Sequence, residues 1–165
     1  MQQAINFFFL KPLSSLRERG RLKRFISEIF KKEGYRLQGL SLIFCSDKYL
    51  LKINKQYLHH NYYTDIITFN LSGADEAIEA EIYISVDRIK ENAKSLNTTI
   101  KEEIHRVVFH GCLHLCGYND KTPKELKNMR KAEDHLINHY FKKNGFTWNN
   151  SNTETKSYTW NSCDF

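Results

Sequence analysis

The pattern of apolar and polar positions predicts a chain of mixed strands and helices. Four short apolar segments, at residues 4–10, 40–45, 65–71 and 81–86, have the length and composition of buried strands. Elsewhere apolar residues recur every three or four positions, which is typical of amphipathic helices. Strands and helices do not alternate strictly. We therefore expect an α+β fold in a single domain, with a small mixed four-stranded sheet packed with about five helices.

One predicted helix, at residues 99–116, is apolar on nearly every side, and such a helix is usually buried. Thr99, with Glu102 three residues later, is a capping-box pattern that marks its beginning. His110 and His114 are four residues apart near its end, so both imidazoles leave the same face. A buried helix with two hydrogen-bonded core histidines would show the same pattern.

The residues that follow this helix favour a metal site. Gly117 can adopt the left-handed conformation that ends a helix, and the turn can return Asp120 to the face of His110 and His114. Two imidazoles and one carboxylate are a catalytic zinc ligand set, and they also suit Mn²⁺ or Fe²⁺. Alternatively, Asp120 only caps the turn or pairs with Lys121, and water completes the metal shell. Cys112 and Cys116 point away from the two histidines and are expected to be core residues.

The same spacing is found in the metzincin peptidase signature, H-E-x-x-H-x-x-G-x-x-H, with two substitutions. Gly111 replaces the Glu that acts as general base, and Asp120 replaces the third His. The first substitution argues against a metzincin-like metallopeptidase, because the usual hydrolysis of peptides needs that base.

The composition of the chain indicates a class of binding partner and a cellular compartment. The chain of 165 residues carries a formal charge of +6, which suits a nucleic-acid partner but equally describes a basic soluble protein. Its four cysteines have no disulfide-framework spacing, which favours a reducing cytosol. No apolar run reaches membrane-spanning length, so we expect a cytoplasmic protein with no membrane partner.

The domain is expected to cover residues 1–145. Asp47 is predicted to cap the second helix, and Ser85 or Asp87 begins a short third one. Thr122, followed by Pro and by Glu three residues on, predicts the beginning of a final helix that ends at Gly145. Residues 146–165 are polar and without period, and are predicted to form a mobile tail.

Several motifs together resemble the YbeY family of metal-dependent endoribonucleases, over about residues 2–142. The strongest is the run from His110 to Asp120, which is similar to H-G-x-L-H-L-x-G-Y-x-[HD]. Three further segments follow the family pattern in order: Thr64–Phe69, Glu81–Ser85 and Met129–Glu133.

The resemblance implies a function. Family members hold a divalent ion, taken to be zinc, through three histidines, whose places here are His110, His114 and Asp120. It implies hydrolysis of single-stranded RNA in ribosomal RNA processing, including maturation of the 3' end of 16S rRNA, and in ribosome quality control. Ribosomal RNA and small-subunit components would be the partners. A non-catalytic ribosome-associated RNA-binding protein with a structural metal is the remaining alternative.

Two residues of the buried helix could assist the reaction. His114 and Arg106 are the predicted catalytic residues, and Arg106 could neutralise phosphate charge. Arg106 could equally pair with Glu102 or Glu103. Glu103 could orient a ligand imidazole, or it could face solvent in the first turn of the helix. Gly111 has no side chain, so a bulky polyanion is expected to approach the ion there.

The segment before the third strand differs from the family. Many members carry Arg at the place of Leu58, and here His59 and His60 follow it. Either His could contact phosphate, although a surface role is the simpler interpretation. Tyr62 and Tyr63 could stack on unpaired bases or pack against the sheet.

Overall fold

A mixed four-stranded sheet forms the centre of the protein in the computed structural model, which describes residues 4–142. Its strands are β1 (Ala4–Phe9), β2 (Leu37–Cys45), β3 (Ile66–Asn70) and β4 (Ile78–Ser85), and they lie in the order β1-β2-β4-β3. Strands β1, β2 and β4 are parallel, and β3 is an antiparallel edge strand. The predicted sheet is confirmed, with β2 and β4 each beginning three residues earlier than expected.

The described residues contain five helices: α1 (Arg19–Lys32), α2 (Asp47–Tyr57), α3 (Val86–Ser95), α4 (Ile100–Leu115) and α5 (Pro123–Lys142). The α+β class and the helix count are therefore confirmed. Helix α4 packs against β3 and β4 on one side and against α1, α3 and α5 on the others. This central position explains why its sequence is apolar nearly all round.

Side-chain caps begin three of these helices as the sequence indicates. The Thr99 hydroxyl accepts a hydrogen bond from the Glu102 amide at 3.1 Å. Thr122 and Glu125 form a full capping box, with reciprocal bonds of 3.2 and 2.9 Å between side chains and amides. For α3 the cap is Ser85, one of the two candidate starts.

The prediction that Asp47 caps α2 is wrong. The cap is Ser46, whose hydroxyl accepts from the Tyr49 amide at 3.2 Å. Asp47 lies in the first turn, and its carboxylate accepts the Ser85 hydroxyl at 2.5 Å and pairs with Arg88 at 3.0 Å. A serine and an acid side by side can each cap a helix, and here tertiary contacts with α3 engage the acid.

Gly111 lets α4 approach the sheet closely. A Cβ added at this position would lie 2.8 Å from the Ile66 Cδ1 atom and 3.0 Å from that of Ile82. The space beside His110 is therefore filled by β3 and β4, and the expectation that Gly111 opens the ion to a polyanion is wrong. Glycine is required here for helix-to-sheet packing.

Other expectations concern burial or fall outside the described residues. Cys112 and Cys116 are buried and unbridged, as predicted. The end of the last helix at Gly145 and the tail at residues 146–165 lie outside the part of the chain that the structure describes. Within residues 4–142, none of the helices has the length and apolar character needed to cross a bilayer.

Candidate metal centre

Three side chains converge at the end of α4. The Nε2 atoms of His110 and His114 are 2.9 Å apart, and the Asp120 Oδ2 atom lies 3.6 Å from the first and 3.5 Å from the second. The structure therefore brings His110, His114 and Asp120 together, as predicted. Among the described residues, these three side chains are close enough to bind one metal ion.

The turn that returns Asp120 is a Schellman motif. Gly117 has a φ of 84°, and its amide donates to the His114 carbonyl at 2.9 Å. The Tyr118 amide donates to the Leu113 carbonyl at 3.0 Å. These two bonds end α4 and reverse the chain, as glycine at this position indicates.

Both imidazoles have their Nδ1 atoms engaged. The Nδ1 atom of His110 lies 2.7 Å from the Glu133 Oε1 atom, and that of His114 lies 2.9 Å from the Tyr118 carbonyl oxygen. Because both partners are acceptors, each Nδ1 donates, and the two Nε2 atoms are left facing each other as ligand atoms for a cation. The Asp120 oxygen beside them is also an acceptor, so the three atoms repel one another unless a metal ion or a proton lies between them.

The separations fit a zinc-sized ion. Ligand atoms on a tetrahedral zinc ion, at bonds of about 2.0–2.1 Å, are about 3.3 Å apart. The three observed separations of 2.9, 3.5 and 3.6 Å bracket this value. They also place the centre of the triangle about 1.9 Å from each atom, slightly less than a zinc bond. The residues present therefore fit a divalent cation with one side left open.

The side of the candidate metal centre that is open to solvent is the side formed by His114. Its side chain is 17% exposed, whereas those of His110 and Asp120 are 1% and 5% exposed. A ligand approaching from solvent would therefore reach the ion past His114.

Glu133, on α5, was not predicted as part of the site. Its Oε1 atom accepts from His110, and both side chains are almost fully buried. Burial lowers the pKa of His110, but the hydrogen bond and the charges of Glu133, Asp65 and Asp120 more than offset it and raise the pKa overall. A carboxylate in this place fixes the orientation and tautomer of a ligand imidazole.

Arg106 contacts the Glu133 carboxylate through the oxygen that His110 does not use. One of its guanidinium nitrogens, Nη1, is 2.8 Å from Asp134 Oδ1 and 3.4 Å from Glu133 Oε2, and the other, Nη2, is 3.9 Å from Glu102 Oε1. The predicted pairing with Glu102 is therefore present as the longest of three contacts. The guanidinium neutralises buried carboxylates, including the one that holds His110.

Glu103 does not face solvent, since it is fully buried. Burial raises its pKa to about 7, against the opposing charge of Arg106. Asp65, at the beginning of β3, is also buried, and burial raises its pKa to about 6, against the charge of His110 and a hydrogen bond from Thr64. The acid that orients His110 is Glu133. Glu103 is a second buried carboxyl group, which interacts with the charges of Arg106, Asp65 and Glu133.

The segment before β3 carries exposed rings. Leu58, at the place of the family Arg, packs against a small cluster under α2. His59 is exposed with a φ of 57°, and the ring of His60 stacks on that of Tyr62. Tyr62 and Tyr63 are 39% and 43% exposed, so the interpretation that they pack against the sheet is not supported.

The α+β fold brings two histidines of a buried helix together with an aspartate of the turn after it, and so defines a protein with a candidate metal-binding helix. The model of the family described as endoribonuclease YbeY matches residues 14–141. The chain belongs to this family, and as a member it is an endoribonuclease, a hydrolase.

Individual relatives agree. The chain is 48% identical over 135 residues to the endoribonuclease YbeY of Cytophaga hutchinsonii, covering 81% of this chain and 94% of the relative. It is 40% identical over 131 residues to that of Porphyromonas gingivalis, covering 79% and 86%. The solution structure of TM1509 from Thermotoga maritima matches with a TM-score of 0.60 and 28% identity, covering 86% of this chain and 91% of that one.

Proposed function

We propose that the protein is a metal-dependent endoribonuclease specific for single-stranded regions of ribosomal RNA. The observation that carries the metal dependence is the convergence of three acceptor atoms, from His110, His114 and Asp120, at separations of 2.9–3.6 Å. Membership of the endoribonuclease YbeY family supports the reaction.

An ion bound here would supply Lewis-acid polarisation of a phosphoryl oxygen and would acidify a water molecule. The chain's own residues hold and shape the site. His110 is fixed by Glu133, and His114 is fixed by the Tyr118 carbonyl and lines the open side. We assign Arg106 to holding Glu133 in place, in preference to contacting phosphate, because its contacts are with three carboxylates.

We propose zinc as the resident metal. The donor separations match tetrahedral zinc, and two imidazoles with one carboxylate are a known catalytic zinc set. The Asp120 carboxylate is a harder ligand than the imidazole usual in the family, so Mn²⁺ or Fe²⁺ are the next candidates.

The biological setting follows from the family and the charge. We propose a role in processing of ribosomal RNA, at the 3' end of 16S rRNA, and in ribosome quality control, with small-subunit components as partners. The formal charge of +6 suits a polyanionic substrate. We place the activity in the cytoplasm, since Cys45, Cys112 and Cys116 are unbridged.

The metallopeptidase alternative is weakened by the packing of α4. The position next to the first ligand histidine, where a peptidase carries its general base, faces Ile66 and Ile82 at a distance that excludes even a methyl group. The alternative of a binding protein with a structural metal is decided by the experiment below.

The test combines elemental analysis of the purified protein with a cleavage assay on single-stranded and duplex forms of the same RNA. We expect about one divalent ion per chain and cleavage of the single-stranded form only. His110→Ala and Asp120→Ala should retain the fold by circular dichroism, bind less metal and lose cleavage.

Two results would overturn the proposal. Metal-depleted protein that still cleaves RNA would remove the metal from the reaction, and unchanged metal content in Asp120→Ala would remove Asp120 from the ligand set. If metal-depleted protein unfolds and the metal-loaded form cuts no RNA, the metal is structural. Release of peptides from an unstructured protein by the metal-loaded form would revive the peptidase alternative.

A further inference from the structure

The segment between α2 and β3 carries three aromatic side chains, which we call the aromatic platform: two exposed tyrosines, Tyr62 and Tyr63, and the half-buried His60. The rings of His60 and Tyr62 stack with centroids 5.1 Å apart and planes 22° from parallel. The Tyr62 hydroxyl is hydrogen-bonded to His60 Nδ1 at 3.0 Å. Tyr62 and Tyr63 remain 39% and 43% exposed, so a large aromatic area faces solvent.

The platform is held in place by Asn54, a fully buried residue of α2. The Asn54 side-chain amide donates to the Tyr62 carbonyl at 2.9 Å, and the Asn54 carbonyl accepts from the amides of Leu58 and His60 at 3.1 and 3.2 Å. A loop with its backbone fixed in this way loses little further freedom when a ligand binds, which favours binding.

Tyr63 lies beside a cation. The Arg88 guanidinium is 5.2 Å from the centroid of the Tyr63 ring, and its Nε atom is 3.0 Å from Asp47 Oδ2. Its Nη1 atom is 3.0 Å from Glu91 Oε2, so the guanidinium is held by two carboxylates against the Tyr63 ring. A ring held in this way and exposed to solvent suits a ligand with a π-face, such as a nucleobase.

The platform is close to the candidate metal centre along the chain. Tyr63 is three residues before Ile66, whose side chain packs against Gly111, the neighbour of His110. Three residues span at most about 10 Å. The intervening Asp65 is buried with its charge acting on His110. An RNA strand with a phosphate at the metal centre could therefore place a nearby base on the platform.

We propose that the aromatic platform binds an unpaired nucleobase of the RNA substrate by stacking. The bound base lies within a few nucleotides of the phosphodiester that is cleaved. This deepens the proposed function and rests on it. Bases in a duplex are already stacked on each other and cannot offer a face to a protein ring, whereas unpaired bases can. The platform thereby gives the enzyme its preference for single-stranded RNA.

The experiment uses the full-length, metal-loaded protein and single-stranded RNA in which 2-aminopurine is placed at successive positions around the cleavage site. The fluorescence of this base is quenched when it stacks. We expect wild type to quench the probe at one position, and Tyr62→Ala and Tyr63→Ala each to raise the KM for cleavage about 5- to 20-fold, with kcat changed less than about twofold. Tyr62→Phe and Tyr63→Phe keep the ring and should restore wild-type KM.

The matched control is Tyr49→Ala, which removes a tyrosine 43% exposed, as Tyr63 is, but near the other end of α2. It should leave KM and quenching unchanged. An abasic nucleotide at the quenched position should weaken binding to wild type about as much as Tyr63→Ala does, with no further loss when the two are combined.

The proposal is overturned if both alanine variants match wild type in KM and quenching, or if Tyr49→Ala has the same effect as they do. It is also overturned if abasic RNA and Tyr63→Ala weaken binding additively. Quenching by wild type without any RNA cleavage would support the platform and refute the proposed nuclease function, so the two failures are distinguishable.

Discussion

Replacing Glu133 by Gln should weaken metal binding about tenfold, although Glu133 is not a metal ligand. The Glu133 carboxylate accepts from His110 Nδ1 at 2.7 Å, and the two side chains are 2% and 1% exposed. Glutamine keeps an acceptor oxygen of similar shape but has no charge, so the charge-assisted part of the hydrogen bond is lost. Charged hydrogen bonds are roughly twice as strong as neutral ones, which gives a loss of about 1.4 kcal/mol.

The loss should appear as an affinity change. Substitution of residues that orient a ligand histidine typically weakens metal affinity by about 10–100-fold, and an isosteric change belongs at the lower end. Competition between the protein and a chelator of known zinc affinity measures this directly. Thermal unfolding of the metal-free protein, measured in parallel, separates the effect on binding from any effect on the fold.

Asp134→Asn is the matched control. Asp134 is the next residue on α5, and its carboxylate, which is 61% exposed, contacts the same Arg106 guanidinium at 2.8 Å. It should leave the metal affinity unchanged. The reasoning is refuted if Glu133→Gln binds zinc as tightly as wild type does, or if Asp134→Asn is weakened equally.

Three further predictions concern stability. Gly111→Ala places a methyl group 2.8 Å from Ile66 Cδ1 and should lower the free energy of unfolding in urea by about 1–3 kcal/mol, whereas Gly20→Ala, at an exposed helix position, should not lower it. Burial lowers the pKa of His105 to about 4, so the contribution of His105 to the free energy of unfolding should fall as pH falls from about 6.5 to 4, by at most about 3 kcal/mol, and His105→Phe should gain stability relative to wild type as pH falls over that range. Burial raises the pKa of Glu103 to about 7, so the contribution of Glu103 should fall as pH rises from about 4.5 to 7, and Glu103→Gln should gain stability relative to wild type as pH rises over that range. Either pH prediction fails if the variant's curve follows that of wild type.

The convergence of the three candidate ligands could be predicted from the sequence because their geometry is local. His110 and His114 are one helical turn apart, and Gly117 reverses the chain within the ten residues that separate His110 from Asp120. Helix periodicity and the conformational freedom of glycine are sufficient for that prediction. The four-stranded sheet was predictable for a similar reason, since each strand is a short apolar run.

Glu133 was missed because it is 23 residues from His110 and on another helix. A signal was nevertheless present in the sequence. Glu133 lies four residues after Met129 and four before Ile137, so it occupies a core position of the apolar face of α5, and all three side chains are buried. A carboxylate at such a position needs a buried partner. The sequence cannot identify that partner, because the choice depends on how α5 packs against α4.

The interpretation of Gly111 failed for a related reason. Absence of a side chain next to a ligand is compatible with an open approach for substrate or with close packing, and only the neighbouring element decides between them. Here Ile66 and Ile82 occupy the space. The single glycine therefore accounts both for the close approach of α4 to the sheet and for the lack of a peptidase-type base beside His110.

The position of Arg106 follows from the cost of burying charge. Glu133 must be an anion to hold His110 strongly, yet a buried carboxylate is costly without a nearby cation. Arg106 supplies that cation at 3.4 Å from the Glu133 Oε2 atom, while His110 contacts Oε1. A guanidinium at the phosphate would leave Glu133 with the imidazole alone. If His110 binds a metal ion as proposed, Arg106 supports that binding by stabilising Glu133, and in a chelator-competition assay Arg106→Gln and Glu133→Gln should weaken metal binding in a non-additive way.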